Sequence, residues 1–151
     1  MHIDTTITIA PGVRNAIMEA SEMTALRVSS LAAACMKRLM KDYQRHVHLD
    51  GRVKYRRRVQ APNNWSRQHV RVSRREYEMF LDLRKVCKVS VSLLFDIAIR
   101  EHLSEVLNDI MNKSEKCADN YPYQHYIIIG NSSENVVCWR IYWGYPDKLQ
   151  L

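Results

Sequence analysis

The sequence predicts an α+β chain: two similar strand-helix-helix units, a basic connector between them, and a C-terminal β-hairpin. Three observations carry that reading. The chain matches itself when slid by 63 residues, which brings Ile7 and Ile9 onto Val70 and Val72, Ile17 onto Phe80, and Leu31, Ala34 and Cys35 onto Leu94, Ile97 and Ala98. Each copy opens on a period-two alternation that gives way to apolar residues at helical spacing. With 46% hydrophobic residues in 151, the chain can bury a core.

The first unit, 1–43, begins with Thr6-Ile7-Thr8-Ile9, an alternating strand. Pro11 suits the first position of a helix that carries Val13, Ile17, Ala20 and Met23. A second helix carries Leu31, Ala34, Cys35 and Leu39, with Ser29 or Ser30 as its expected cap, since a serine hydroxyl accepts from the unpaired amides of the first turn. The connector, 44–65, holds Asp50-Gly51 between two alternating stretches and reads as a small hairpin with a tight turn. The second unit, 66–112, starts with the strand His69-Val70-Arg71-Val72. Ser73 to Glu76 have capping-box spacing ahead of Phe80, Leu83 and Val86. Ser92 takes the part of Ser29, before Leu94, Ile97, Ala98 and Leu103. In the extension, 113–151, "YQHYIIIG" and "VVCWRIYW" flank "NSSEN" and read as a hairpin rich in aromatic and β-branched residues.

Charge is unevenly spread. Residues 44–75 hold ten Lys and Arg against one acid, a net of +9 in a chain of net +7, so the remainder carries −2. A polycationic fifth of the chain attached to a nearly neutral body suits a nucleic-acid partner, because counterion release drives such binding. No apolar run approaches the roughly 18–20 residues of a membrane span, and the first residues lack a signal-peptide pattern, so no membrane is expected and a cytoplasmic location is. The four cysteines are widely spaced, which suggests neither a metal site nor a disulfide framework. His46 and His48 are two imidazoles without further ligands, and no metal or cofactor is assigned. Nothing resembles a phosphate loop, a nucleophile elbow or a carboxylate-histidine cluster, so no enzyme is expected.

Residues 6–40 and 69–103, "TITIAPGVRNAIMEASEMTALRVSSLAAACMKRLM" and "HVRVSRREYEMFLDLRKVCKVSVSLLFDIAIREHL", each resemble a ribbon-helix-helix unit of the MetJ/Arc/CopG superfamily. They cover about half the chain. The family often has Gly between its two helices, where Ala25 and Lys88 stand here. The resemblance implies a tandem pseudo-dimer in which two strands pair antiparallel, four helices form the core, and the ribbon enters the major groove of double-stranded DNA. A lone strand leaves a row of unpaired backbone groups, so residues 5–10 need residues 68–73. A connector of about 22 residues reaches about 70 Å at 3.3 Å per residue, ample for pairing within one chain. Pairing between chains is the other arrangement.

Alternation then divides the ribbon's side chains. With Ile7, Ile9, Val70 and Val72 turned to the helices, Asp4, Thr6 and Thr8 face outward beside Arg67, His69 and Arg71. These are the expected base readers: a guanidinium donates twice to guanine, and threonine offers a hydroxyl and a methyl. The resemblance adds phosphate anchors at the second-helix N-termini, Ser29, Ser30, Ser92 and Leu93, where amides and dipole favour an anion. Arg56, Arg57 and Arg58 are further phosphate candidates. The two halves differ chemically, which implies an asymmetric DNA site and a regulator of transcription or of plasmid or phage DNA. Two other functions stay open: a protein-interaction module using the aromatic hairpin for a partner or for self-association, and RNA binding through the arginine run. A helix-turn-helix competes for the first helical pair, but a strand precedes the pair in both copies.

Overall fold

A computed structural model describes residues 1–46, 65–112, 126–133 and 136–143 of the chain. In order it contains β1 (His2–Ile9), α1 (Pro11–Thr24), α2 (Val28–Lys41), a 3-10 turn (Tyr43–His46), β2 (Ser66–Ser73), α3 (Arg74–Cys87), α4 (Val91–Met111), β3 (Tyr126–Ser133) and β4 (Val136–Trp143). The described residues form a mixed α+β structure of four helices and two antiparallel two-stranded sheets. The expected connector hairpin lies outside the described residues.

The repeat is visible in the element boundaries. Adding 63 to the ends of α1 gives the ends of α3, and α2 and α4 both begin at a valine 63 apart. β1 pairs antiparallel with β2 over their whole lengths, from His2 opposite Ser73 to Ile9 opposite Ser66. The strand thus starts earlier than the visible Thr-Ile alternation, while Ala10 lies beyond it as the residue that precedes α1. Ile7, Ile9, Val70 and Val72 form the buried face of this ribbon, and Phe80 and Phe95 meet edge to face beneath it with ring centroids 5.2 Å apart.

The helices depart from strict repetition where their chemistry differs. Ser73 caps α3 with a complete capping box, its hydroxyl accepting from the Glu76 amide while the Glu76 carboxylate accepts from the Ser73 amide. Its counterpart before α1 is Ala10, which has no side chain to cap with. The Ala10 amide donates instead to Oδ1 of Asp96 on α4 at 3.0 Å, and Arg100, one turn along α4, holds Oδ2 at 2.5 Å. α4 also runs to 21 residues against 14 in α2, and Glu105 and Asp109 in its extra turns both pair with Arg38 of α2.

Burial raises the Glu76 carboxyl, but hydrogen bonds from Lys37 and from the Ser73 amide and hydroxyl outweigh it, so its pKa falls below the ordinary 4.5. A depressed folded-state pKa gives stability that is present above the unfolded value and is lost as pH falls through the folded one. Glu76→Gln should therefore cost about 1 kcal/mol at neutral pH, and that difference should shrink as the pH drops below about 4.5. Urea titrations of both forms across that range check this.

α1 and α3 end in the left-handed conformation without glycine, at Ala25 (φ 55°) and Lys88 (φ 57°). An L-residue there meets a steric cost that glycine escapes. Ala25→Gly and Lys88→Gly should each stabilise the fold by about 0.5–1 kcal/mol in denaturant titration, opposite in sign to the usual effect of adding glycine.

The C-terminal hairpin packs by one face on α3. Ile141 is buried, the Tyr43 hydroxyl donates to its carbonyl at 3.1 Å, and the Tyr126 hydroxyl donates to Asp82 at 2.7 Å. Gly130 lies opposite Trp139, whose ring would meet a Cβ at 2.8 Å, so the indole crosses the neighbouring strand where no side chain stands. Lys85 of α3 approaches the same ring, 5.7 Å from its centroid. None of the described helices is long and apolar enough to cross a membrane.

Candidate nucleic-acid interface

The face of the β1–β2 ribbon turned away from the helices brings together all six residues expected there. Asp4 lies opposite Arg71, Thr6 opposite His69, and Thr8 opposite Arg67. Thr8 is half-buried and the other five are exposed. Thr6 and His69 are both opposite one another and 63 residues apart, the offset of the repeat. Exchanging the two halves therefore maps the ribbon register onto itself: Asp4 with Arg71 becomes Arg67 with Thr8. The chemistry is not exchanged with it, since one end presents an acid and a base and the other a base and a hydroxyl.

Arg71 Nε sits 3.8 Å from Asp4 Oδ1, with the two side chains 63% and 74% exposed. A pair so open to solvent contributes at most about 1 kcal/mol, so the guanidinium stays available to a stronger acceptor. His2 continues the outward alternation and is exposed. It is a candidate contact missing from the sequence reading, although stepping back by two from Asp4 points to it.

The starts of α2 and α4 lie against this ribbon and correct the expected role of the serines. Neither Ser29 nor Ser92 caps its helix. The residues before the helices are Arg27, which makes no side-chain cap bond, and Ser90, whose hydroxyl accepts from the Leu93 amide at 3.3 Å. Ser29 accepts instead from the backbone amide of Arg71 at 2.9 Å, and Ser92 from that of Thr8 at 3.3 Å. Thr8 and Arg71 are themselves 63 apart, so the repeat preserves this tie: the serine of each unit bonds the strand of the other. A hydroxyl that accepts from an amide keeps its own proton to donate.

Two of the amides expected to face phosphate have internal acceptors. That of Leu93 donates to Ser90 Oγ, and that of Ser30 donates to the Arg27 carbonyl at 3.0 Å. The groups at these helix starts that could meet an anion are therefore the serine hydroxyls and the positive end of the helix dipole more than those two amides. Exposed Arg27 adds a full charge at the start of α2, two or three residues ahead of the expected cap at Ser29 or Ser30.

An open groove of about 890 Å³ runs from the ribbon edge along α2, lined by Arg27, Ser29, Ser30, Lys37, Arg71 and Glu76 among others. Small residues make the room: Ser30, Ala33 and Ala34 occupy positions where α4 carries Leu93, Asp96 and Ile97. Lys37 bonds Glu76 at 2.9 Å across the groove.

The arrangement suits reversible contact with a polyanion. Cys35 and Cys87 are buried and desolvation pushes both thiols up to about 12, which keeps them protonated and unreactive at neutral pH. Among the described residues no group of three or more His, Cys, Asp or Glu is placed to hold a metal ion. Arg56, Arg57, Arg58 and His48 lie outside the described residues, and nothing is described of the His46 side chain. Comparison with models of known families, with curated proteins and with solved structures finds no match to the chain.

Proposed function

We propose that this chain is a sequence-specific double-stranded DNA-binding protein, a tandem ribbon-helix-helix pseudo-dimer that inserts the β1–β2 ribbon into the major groove. The observation that carries this reading is the ribbon register. It pairs the strands of two units within one chain and lines up Arg67, His69 and Arg71 beside Asp4, Thr6 and Thr8 on the exposed face. A major groove about 12 Å wide admits a two-stranded ribbon. The ties from Ser29 and Ser92 to the strands support it further, because they set both helix starts at a fixed distance from the reading face, where phosphates flank the groove. The function served is regulation of transcription or of plasmid or phage DNA, at a site that is not a palindrome, because the two ribbon ends differ.

Selection of bound sequences from a random duplex library, followed by fluorescence anisotropy at several salt concentrations, tests the reading. The expected result is an enriched asymmetric motif bound at least tenfold more tightly than random duplex, single-stranded DNA or RNA. Equal affinity for all four, tracking salt alone, would reduce the protein to a nonspecific polycation.

A specific observation favours one other function, a protein-interaction module. Met23 and Leu26 at the end of α1 are 62% and 39% exposed, whereas Val86 and Val89, 63 residues on, are 2% and 3% exposed. The hairpin is the weaker candidate for that surface, since Tyr126 and Ile141 are turned to α3 and Tyr43.

A further inference from the structure

At the centre of the ribbon, Thr6 Oγ1 and His69 Nδ1 lie 3.1 Å apart across the two strands. We infer that Thr6 is a positioning residue rather than a base reader: its hydroxyl fixes the His69 tautomer, so that a hydrogen-bond donor faces the central base step. The inference rests on the DNA-binding reading above and names the base edge that this point of the ribbon takes.

The direction of the bond follows from the chemistry of the two groups. An unprotonated imidazole nitrogen is a stronger base than a hydroxyl oxygen, so the stable arrangement has Thr6 donating and Nδ1 accepting. In the neutral ring the proton then resides on Nε2. If the ring gains a second proton, Nδ1 donates to the hydroxyl and Nε2 still carries its hydrogen. The nitrogen left for a ligand is a donor in both states. Threonine suits this task because branching at Cβ restricts χ1 and holds the hydroxyl toward its neighbour on the paired strand. The same register that places the pair opposite one another also puts it at the point about which the two halves exchange.

A donor at that point selects among base edges. Guanine offers two adjacent acceptors, N7 and O6, whereas cytosine presents an amino group and adenine sets an amino group beside its single acceptor. The ring therefore favours guanine at the central step and disfavours cytosine there. Without the hydroxyl the other tautomer becomes accessible and presents an acceptor, which an amino group can satisfy. The central position then loses its discrimination while Arg67 and Arg71 continue to read the flanks.

The test pairs Thr6→Val, which keeps the branched shape and removes the hydroxyl, with Thr6→Ser, which restores it. Long-range nitrogen-proton NMR on the free protein at about pH 8.5, above the range in which imidazoles ordinarily titrate, reads the His69 tautomer directly. Wild type and Thr6→Ser should show the Nε2-protonated ring, and Thr6→Val a mixture. Duplexes differing at the central step should show guanine preferred over cytosine by wild type and Thr6→Ser, with that ratio falling roughly three- to tenfold in Thr6→Val, the size of one hydrogen bond. Equal tautomer populations in wild type and Thr6→Val overturn the inference even if DNA binds normally. A tautomer change that leaves the central preference intact overturns its reading role. A wild type that binds no duplex overturns the DNA-binding proposal and the base preference with it, while the NMR populations still decide the positioning by Thr6.

Discussion

Replacing Arg67 and Arg71 together by alanine should weaken binding to the selected duplex about a hundredfold or more, with little change in unfolding free energy. Each guanidinium placed against guanine is worth about 1–3 kcal/mol of discrimination, and the two sit on opposite sides of the central Thr6–His69 pair. Both are exposed on the side of the ribbon away from the core, so substitution removes no buried contact and belongs to the class that changes stability by less than about 0.5 kcal/mol. The single variants should relax sequence preference at opposite ends of the motif. Anisotropy against duplexes altered at each end separates the two contributions. Undiminished binding by the double variant would remove the ribbon from the interface.

Asp96→Ala should lower stability by about 2 kcal/mol and the melting temperature by roughly 4–8 °C. Asp96 is 1% exposed, accepts from the amide that precedes α1 and is held in place by Arg100. Its removal leaves the Ala10 amide without that acceptor at the start of a helix that has no side-chain cap. The loss stays below that of a fully buried ion pair because the Arg100 side chain is 62% exposed and regains water. A second substitution tests the cause. Ala10→Pro removes the amide that Asp96 accepts from, at a φ of −65° that proline adopts, and in the Asp96→Ala background it should cost about 1 kcal/mol less than in the wild type. Chemical denaturation of the four forms completes the cycle, and equal effects of Ala10→Pro in both backgrounds would break the link between the two sites.

Much of this structure is legible in the sequence because repetition checks itself. One strand-helix-helix pattern admits several folds, but two in register fix the offset of 63, and that offset reappears in α1 and α3, in the Thr6–His69 pair, and in the ties from Ser29 and Ser92. Alternation was enough to divide Ile7, Ile9, Val70 and Val72 from the six outward residues, since a strand has only two faces. The helix starts are harder. A serine near the beginning of a helix reads as a cap at any of several positions, and Val28-Ser29-Ser30 does not say that Arg27 precedes the first turn while Ser29 turns to the ribbon.

Asp96 is hidden for a different reason. With Arg100 four residues on, it has the spacing of an ordinary surface ion pair, and nothing local shows that its carboxylate serves a helix 86 residues away in sequence. That role exists because Val13 stands where the second unit has Glu76, whose carboxylate accepts from the Ser73 amide, a departure from the repeat that gains meaning once the two units are packed together. The hairpin shows the same limit. Its strands are legible from β-branched and aromatic residues, whereas its docking on α3 rests on Tyr43, Asp82 and Ile141, three residues far apart in the chain.

Titrating isotopically labelled protein with its selected duplex, while following every backbone amide, shows whether the exposed face of the β1–β2 ribbon meets DNA. The largest shifts should fall at residues 4–8 and 67–71, followed by the first turns of α2 and α4, with the hairpin and the outer face of α1 nearly unchanged. Shifts concentrated around Met23 and Leu26 or on β3 and β4, with the ribbon amides still, would contradict a ribbon interface.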